Sequence, residues 1–316
     1  TGMRWDEDAA RWVVTTTRGD TFRARFVTTQ SGIFSRPQLP GIPGIADFAG
    51  TAFHSARWDY GYTGGSFDKP VLDKLADKVV ALVGTGATAI QAVPYLAEHA
   101  KQLYVVQRTP SCVDERPNPP TDISWIESLK PGWQTERMDN FHKGAMDAFG
   151  PGDEDLVCDF WTEINRNMKA DLEAEGWPML TTEEFLDRRD KMDHRVMERM
   201  RRRVDELVKD PATAEALKPY YRYLCKRTAS NDDFYPTFNR PNVHLIDTQG
   251  KGVERITEHG IVANGVEYEV DCLIYATGFE VGTAWTRRAG YDLFGIGGQT
   301  LSDYWADGMK DRKSTR

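Results

Sequence analysis

Residues 79–89 read Val79-Val80-Ala81-Leu82-Val83-Gly84-Thr85-Gly86-Ala87-Thr88-Ala89, and this stretch decides the fold. Five apolar residues in a row are typical of a strand buried on both faces, as in a parallel sheet. The Gly-x-Gly-x-x-Ala that follows suits a strand-to-helix turn. Gly84 makes the tight turn, Gly86 lets a pyrophosphate approach the backbone, and the small Ala89 lets helix pack on strand. A helical segment is expected from about Thr88 to Ala100, and Leu103 to Val106 reads as the next strand. Strand, glycine turn, helix and strand within ~30 residues make a βαβ unit. Free N–H groups and the dipole at the helix N-terminus favour phosphate there. Gly84, Thr85, Gly86, Ala87 and Thr88 are therefore candidate dinucleotide-binding residues, and Gln91 in the same part of the helix can hydrogen-bond the ligand.

The end of the second strand selects the dinucleotide. An acidic residue there would accept a hydrogen bond from a ribose 2′-hydroxyl and favour NAD. The chain instead reads Val105-Val106-Gln107-Arg108-Thr109, with no acid. The Arg108 guanidinium can pair with a 2′-phosphate through charge-assisted hydrogen bonds, which points to NADP(H).

Working outward, residues 11–17 and 21–29 are β-branched and joined at Gly19-Asp20, the pattern of a hairpin. Prolines 37, 40 and 43 with Gly41 and Gly44 make residues 33–50 loop-like, and Gly61 to Phe67 reads as a linker. Residues 120–220 lose their strand signals. Phe160, Trp161, Ile164, Met168 and Leu172 fall at helical spacing and predict a core-facing helix edge. Arg199-Met200-Arg201-Arg202-Arg203 reads as a solvated helix face. Strands resume at 243–247, 253–257, 260–264 and 266–270 and end in Cys272 to Ala276. No internal repeat is visible.

At 316 residues the chain has room for about two domains. Forty Lys and Arg against 48 Asp and Glu leave a formal charge of −8, which disfavours a nucleic-acid partner. No apolar run approaches the roughly 18 residues of a membrane span. The four cysteines, Cys112, Cys158, Cys225 and Cys272, lie far apart with no CxxC pair. That argues against a disulfide framework or a zinc cluster and leads us to expect no metal and a reducing, cytoplasmic setting.

Phe48-Ala49-Gly50-Thr51-Ala52-Phe53-His54-Ser55-Ala56-Arg57-Trp58-Asp59 follows the pattern F-x-G-x-x-x-H-x-x-x-W-D. It resembles the fingerprint of type I Baeyer–Villiger monooxygenases at Phe48, Gly50, His54, Trp58 and Asp59. The stretch Val83 to Gln91 is similar to that family's NADPH-binding turn. Val106 to Pro110 is similar to its 2′-phosphate loop, and Lys226-Arg227 to its catalytic-arginine segment. Ala276-Thr277-Gly278 resembles the family's return to the flavin domain. The likeness runs from about Ser31 to Trp305.

The resemblance implies an NADPH- and FAD-dependent enzyme acting on a ketone and O2. One oxygen atom would be inserted beside the carbonyl, by way of a C4a-peroxyflavin, to give an ester or lactone. It implies Arg227 as the catalytic charge, Lys226 beside Arg108 and Thr109 at the 2′-phosphate, and His54, Trp58 and Asp59 as residues that position domains. Lys226 and Arg227 are expected in an extended segment, facing opposite ways.

The expected fold class is α/β, a Rossmann-like NADP-binding domain with a helical insertion, flanked by parts of an FAD-binding α/β domain. The expected boundaries are 1–69 for a partial FAD-binding domain and linker, 70–119 with 221–275 for the NADP-binding domain, 120–220 for the insertion, and 276–316 for the return. The family's flavin domain has its own glycine turn near the N-terminus. None lies between Thr1 and Asp59, where Gly41-Ile42-Pro43-Gly44 has the wrong spacing. The chain also opens without Met and closes soon after Gly278 in a polar run, Lys310 to Arg316. The resemblance therefore implies an internal fragment. The alternatives are a flavin-dependent N- or S-oxygenase and an inactive NADP-binding fragment.

Overall fold

The computed structural model describes residues 2–146 and 149–308. The polar run at 310–316 lies outside the described residues. The chain divides into two compact units, residues 41–276 and residues 1–40 with 277–316.

The second of these contains strands β1 (Gly2–Asp6), β2 (Arg11–Thr15) and β3 (Thr21–Ala24) as an antiparallel meander. The β2–β3 turn forms where expected, with Gly19 at φ +88°. A short strand near the other end of the chain, β14 (Leu293–Phe294), runs parallel to β1.

The larger unit is built on a five-stranded parallel sheet. Its members are β4 (Thr51–His54), β5 (Val79–Val83), β6 (Gln102–Gln107), β9 (Val243–Asp247) and β13 (Cys272–Tyr275), in the order β4-β13-β5-β6-β9. Period-two alternation along β5 divides its side chains between two cores. Val80 and Leu82 pack with helix α2 (Ala87–His99) on one face. Ala81 and Val83 pack on the other face with β10 (Arg255–Ile256) and β11 (Gly260–Ala263), which with β12 (Val266–Glu269) form an antiparallel sheet. Because β5 is covered on both faces, it needs an unbroken apolar run rather than an alternating one.

Helix α2 buries Ala89, Ile90, Val93, Leu96 and Ala97, one stripe of a 3.6-residue period. Pro94 sits inside it. The expected strands from 243 to 276 all form, the second of them shortened to Arg255–Ile256.

Between β6 and β9 the described chain is helical from 123 to 217, apart from its loops. Its main elements are α5 (Glu163–Ala174) and α6 (Thr182–Leu207), followed by α7 (Pro211–Leu217). Thr181 and Glu184 form a capping box at the start of α6. Ile164, Met168 and Leu172 of α5 meet Met192, Val196, Met197 and Met200 of α6 in a separate core that also buries Cys112 and Tyr223. The expected helix edge is thus present, but Phe160 and Trp161 precede the helix, which starts at Glu163. Two short parallel strands, β7 (Val113–Asp114) and β8 (Ala229–Ser230), frame this helical stretch in sequence.

Candidate functional site

At the end of β5 the backbone turns on Gly84, whose φ is +114°. A Cβ there would lie 2.7 Å from the Ala276 carbonyl oxygen, so both conformation and space require glycine. The Gly84 N–H donates to Val106 O at 2.9 Å, and the Ala276 N–H donates to Val83 O at 2.9 Å. Gly86 caps α2, and a Cβ on it would meet nothing within 4 Å. The open face above Gly86 and the buried Ala89 behind it are what a phosphate-binding turn needs. Ala87 and Thr88 are exposed on the first turn. The Gln91 side chain donates to Ala87 O at 3.0 Å, back onto its own helix.

A second layer ties this turn to the loop after β6. Thr85 Oγ1 donates to Thr109 O at 3.0 Å, and Ser111 Oγ donates to Thr85 O at 2.5 Å. Lys226 Nζ donates to Thr109 Oγ1 and stands 5.1 Å from the Tyr221 ring centroid. Arg108 is exposed beside it. Burial, then the nearby Arg108 charge, hold the Lys226 ammonium below the usual lysine value. Arg108 and Lys226 are thus like charges brought together beside the glycine turn, with no carboxylate ion-paired to either among the described residues. A bound anion would relieve that repulsion.

Lys226 and Arg227, expected in an extended segment, lie outside the strands, with Lys226 at a bend. They follow a turn in which Leu224 has φ +60°, and the strand begins only at Ala229. Alternation along a strand therefore does not set where their side chains go. Arg227 is exposed, with no hydrogen bond or ion pair among the described residues.

The Phe48–Asp59 stretch forms regular structure within the larger unit. A Cβ on Gly50 would lie 2.5 Å from the Phe48 ring and 2.7 Å from Asp271 O, so this close approach needs glycine. His54 ends β4 and its Nδ1 accepts the Ala56 N–H at 3.1 Å. Trp58 Nε1 donates to Thr63 Oγ1 at 3.0 Å, and its ring packs edge-on against Phe53. Asp59 caps the short helix α1 (Tyr60–Thr63) by accepting the Tyr62 N–H at 3.0 Å. In the smaller unit, Thr277 Oγ1 donates to Gln38 O, Gly278 O accepts the Gln38 N–H at 2.9 Å, and Gly278 has φ +79°.

The arginine run on α6 is not a solvated face. Met200 is fully buried. Arg199 bonds both oxygens of buried Asp114 at 2.8 Å and reaches Glu163 at 2.6 Å, and Arg203 pairs with Asp232 at 2.9 Å. Asp114, Ser111 and Asp271 escape a reading of the sequence, because each works through partners far away in the chain. Asp271 accepts the Val79 N–H at 2.7 Å and stitches two neighbouring strands at their starts. The one available signal was the strand beginning beside it.

No family model matches the chain. Over 310 residues it is 52% identical to pentalenolactone D synthase of Streptomyces arenae, a match covering 98% of this chain and 52% of that protein. It is 46% identical over 318 residues to Baeyer-Villiger monooxygenase 4 of Dietzia sp. strain D5, covering 98% and 50%. The polycyclic ketone monooxygenase of the fungus Thermothelomyces thermophila superposes with a TM-score of 0.83 at 41% identity, over 97% of this chain and 51% of that one. Over nearly its whole length this chain is similar to part of the Baeyer–Villiger monooxygenases. It spans about half the length of the curated relatives it matches. The structure of OTEMO in complex with FAD and NADP, at 28% identity and a TM-score of 0.69, covers 98% of this chain and 56% of that one. With these Baeyer–Villiger relatives the chain shares a mixed α/β fold with a parallel sheet. Among the described residues no helix is long and apolar enough to cross a membrane.

Proposed function

We propose that this chain supplies the nicotinamide side of an NADPH- and FAD-dependent Baeyer–Villiger monooxygenase. The enzyme would insert one oxygen atom of O2 beside a ketone carbonyl to give an ester or lactone. The observation that carries this reading is the meeting of Lys226, Arg108 and Thr109 at the glycine turn, a cationic corner beside an open phosphate cradle.

The residues present suit NADP(H). The pyrophosphate would lie over Gly84–Thr88, taking the free N–H groups of the first turn of α2. Thr85 faces away from it, occupied with Thr109. Arg108 and Lys226 would grip the 2′-phosphate, and NADH offers neither of them a partner. For a flavin, the described residues contain no second strand–glycine–helix turn, so we assign them no pyrophosphate grip on FAD. When bound, the flavin supplies the oxygen-activating chemistry. Arg227 would contribute a charge that is always present and unneutralised, available wherever negative charge develops on the reacting oxygens.

The finer architecture follows from the same reading. A Rossmann-like NADP-binding domain, 70–119 with 221–275, would carry the helices of 120–220 as an insertion. Residues 1–69 and 276–316 would belong with a flavin domain. The separate core of α5 and α6 supports the insertion, and the parallel run β13-β5-β6-β9 supports the NADP-binding domain, but β4 (Thr51–His54) pairs with β13 in the same sheet, which argues for a first boundary nearer residue 40. The test is ketone-dependent NADPH oxidation by this chain joined to a flavin-binding portion that completes the enzyme, with ester or lactone identified as product. NADPH consumption that does not respond to any ketone, or that is matched by NADH, overturns the proposal.

A further inference from the structure

Helix α6 grips the segment that carries Lys226 and Arg227 from several successive turns. Asp193 accepts the Tyr223 N–H at 2.8 Å ahead of that segment, and Arg203 pairs with Asp232 at 2.9 Å beyond it. Between them Arg199 presents its whole fork. Nη1 and Nη2 donate to the two oxygens of Asp114 at 2.8 Å each, while Nε and Nη2 donate to Glu163 at 3.2 and 2.6 Å. Asp114 lies on β7, and β7 pairs in register with β8, Asp114 opposite Ser230. The Asp114 and Cys112 carbonyls also accept the Asn231 and Ala229 N–H groups, at 3.0 and 3.1 Å. Lys226 precedes Ala229 by three residues. The same stretch that ends at Asp114 begins at Thr109, the residue Lys226 bonds.

Three charges in a largely buried place are a weak source of stability, because desolvation offsets their attraction. A packed apolar contact would hold α6 here about as well, yet it could slide. A guanidinium bonded to two carboxylates by four N–H contacts fixes both distance and direction.

We infer that Asp114, Arg199 and Glu163 are positioning residues that set the place of the Lys226–Arg227 segment and so determine the preference for NADPH over NADH. This rests on the reading of Arg108 and Lys226 as the 2′-phosphate grip. None of the three touches the nucleotide. Their effect passes through β7 and β8, so it falls on the interaction that depends on where Lys226 stands and spares the pyrophosphate turn.

The experiment is calorimetric titration of the full chain with NADPH and with NADH. Arg199→Lys and Asp114→Asn should each weaken NADPH about tenfold, the scale of one charged hydrogen bond, and change NADH less than about twofold. Glu163→Gln keeps the shape of the side chain and should cost about threefold for NADPH. It carries the test if either of the others fails to fold. On a Lys226→Ala background, Arg199→Lys should have no further effect on NADPH. Equal losses for both nucleotides, no loss, or a full tenfold loss added on the Lys226→Ala background would each overturn the inference. If Lys226→Ala weakens NADPH while the three positioning variants do not, the inference alone fails. If Lys226→Ala leaves NADPH binding unchanged, the 2′-phosphate reading fails and the inference goes with it.

Discussion

The glycine turn after β5 and the segment from Tyr221 to Ser230 meet at Thr109, yet they are built by opposite means. The turn is fixed by backbone geometry and apolar burial: a positive φ at Gly84, an Ala276 carbonyl that leaves no room for a Cβ, and β5 and α2 packed beneath. The segment lies outside strands until β8 begins at Ala229, and it is held by side-chain charges and single hydrogen bonds from α6. The first construction is local in sequence and tolerates almost no change. The second is assembled from residues up to 117 positions apart and can be adjusted one bond at a time. On the proposed function, the pyrophosphate grip and the discrimination of one phosphate from none would thus rest on different kinds of scaffold.

The largest effect should come from the turn. Gly84→Val places a branched side chain at φ +114° against the Ala276 backbone, which cannot retreat without disturbing β13. We expect a loss of about 4 kcal/mol or more in denaturant unfolding. A loss under about 1 kcal/mol would mean that the turn is as adaptable as the segment.

Next is Arg227→Ala, which should separate rate from stability. The side chain is exposed and makes no described contact, so unfolding should shift by no more than about 0.5 kcal/mol. On the proposed function, ketone oxygenation by the flavin-bound enzyme that contains this chain should fall on the order of 10²–10³-fold, the usual cost of losing a charge-stabilising donor. Calorimetry for stability and product analysis for rate make the check. A large stability loss would place Arg227 with the structural arginines Arg199 and Arg203.

Arg108→Ala should weaken NADPH by about 1.5–3 kcal/mol and leave NADH nearly unchanged, as read by titration. Equal losses for both would mean that the cationic corner serves the turn itself.

The smallest effect is a pH dependence. Lys226 ionises below the usual lysine value of 10.5, through burial and then the Arg108 charge. Its ammonium is fully present below that depressed value and is lost as pH rises through it. The NADPH advantage over NADH should therefore shrink with alkalinity sooner than for an ordinary lysine, and Arg108→Ala should move that decline to higher pH. A flat ratio across the alkaline range would remove Lys226 from the grip.

How much was legible in the sequence follows the same division. The β5–α2–β6 unit, the hairpin at Gly19 and the strands from 243 to 276 could be read because their causes are short-range: apolar runs, β-branched residues and glycines at fixed spacing. The place of Arg108 just past a strand end could be read, because β6 ends at Gln107. The arginine run at 199–203 was misread as a solvated face, since charge in a helix is usually exposed and its partners, Asp114 and Asp232, lie 85 and 29 residues away. The conformation of Lys226-Arg227 was misread for the same reason. A bend stabilised from α6 has no local signature.

The position of β13 also bears on how the chain is made. This strand lies inside the sheet, between β4 and β5, although it is the last of the five in sequence. Val79 and Asp271, which share a hydrogen bond at that seam, are 192 residues apart. During synthesis β4 and β5 must wait as facing, unpaired edges for most of the unit's length to emerge, with a large loop-closure cost before the gap is filled. Unpaired strand edges are sites of intermolecular pairing. A ribosome that stalls before Cys272 would therefore release a chain primed to aggregate, and one that passes Tyr275 would release a chain able to close its own sheet.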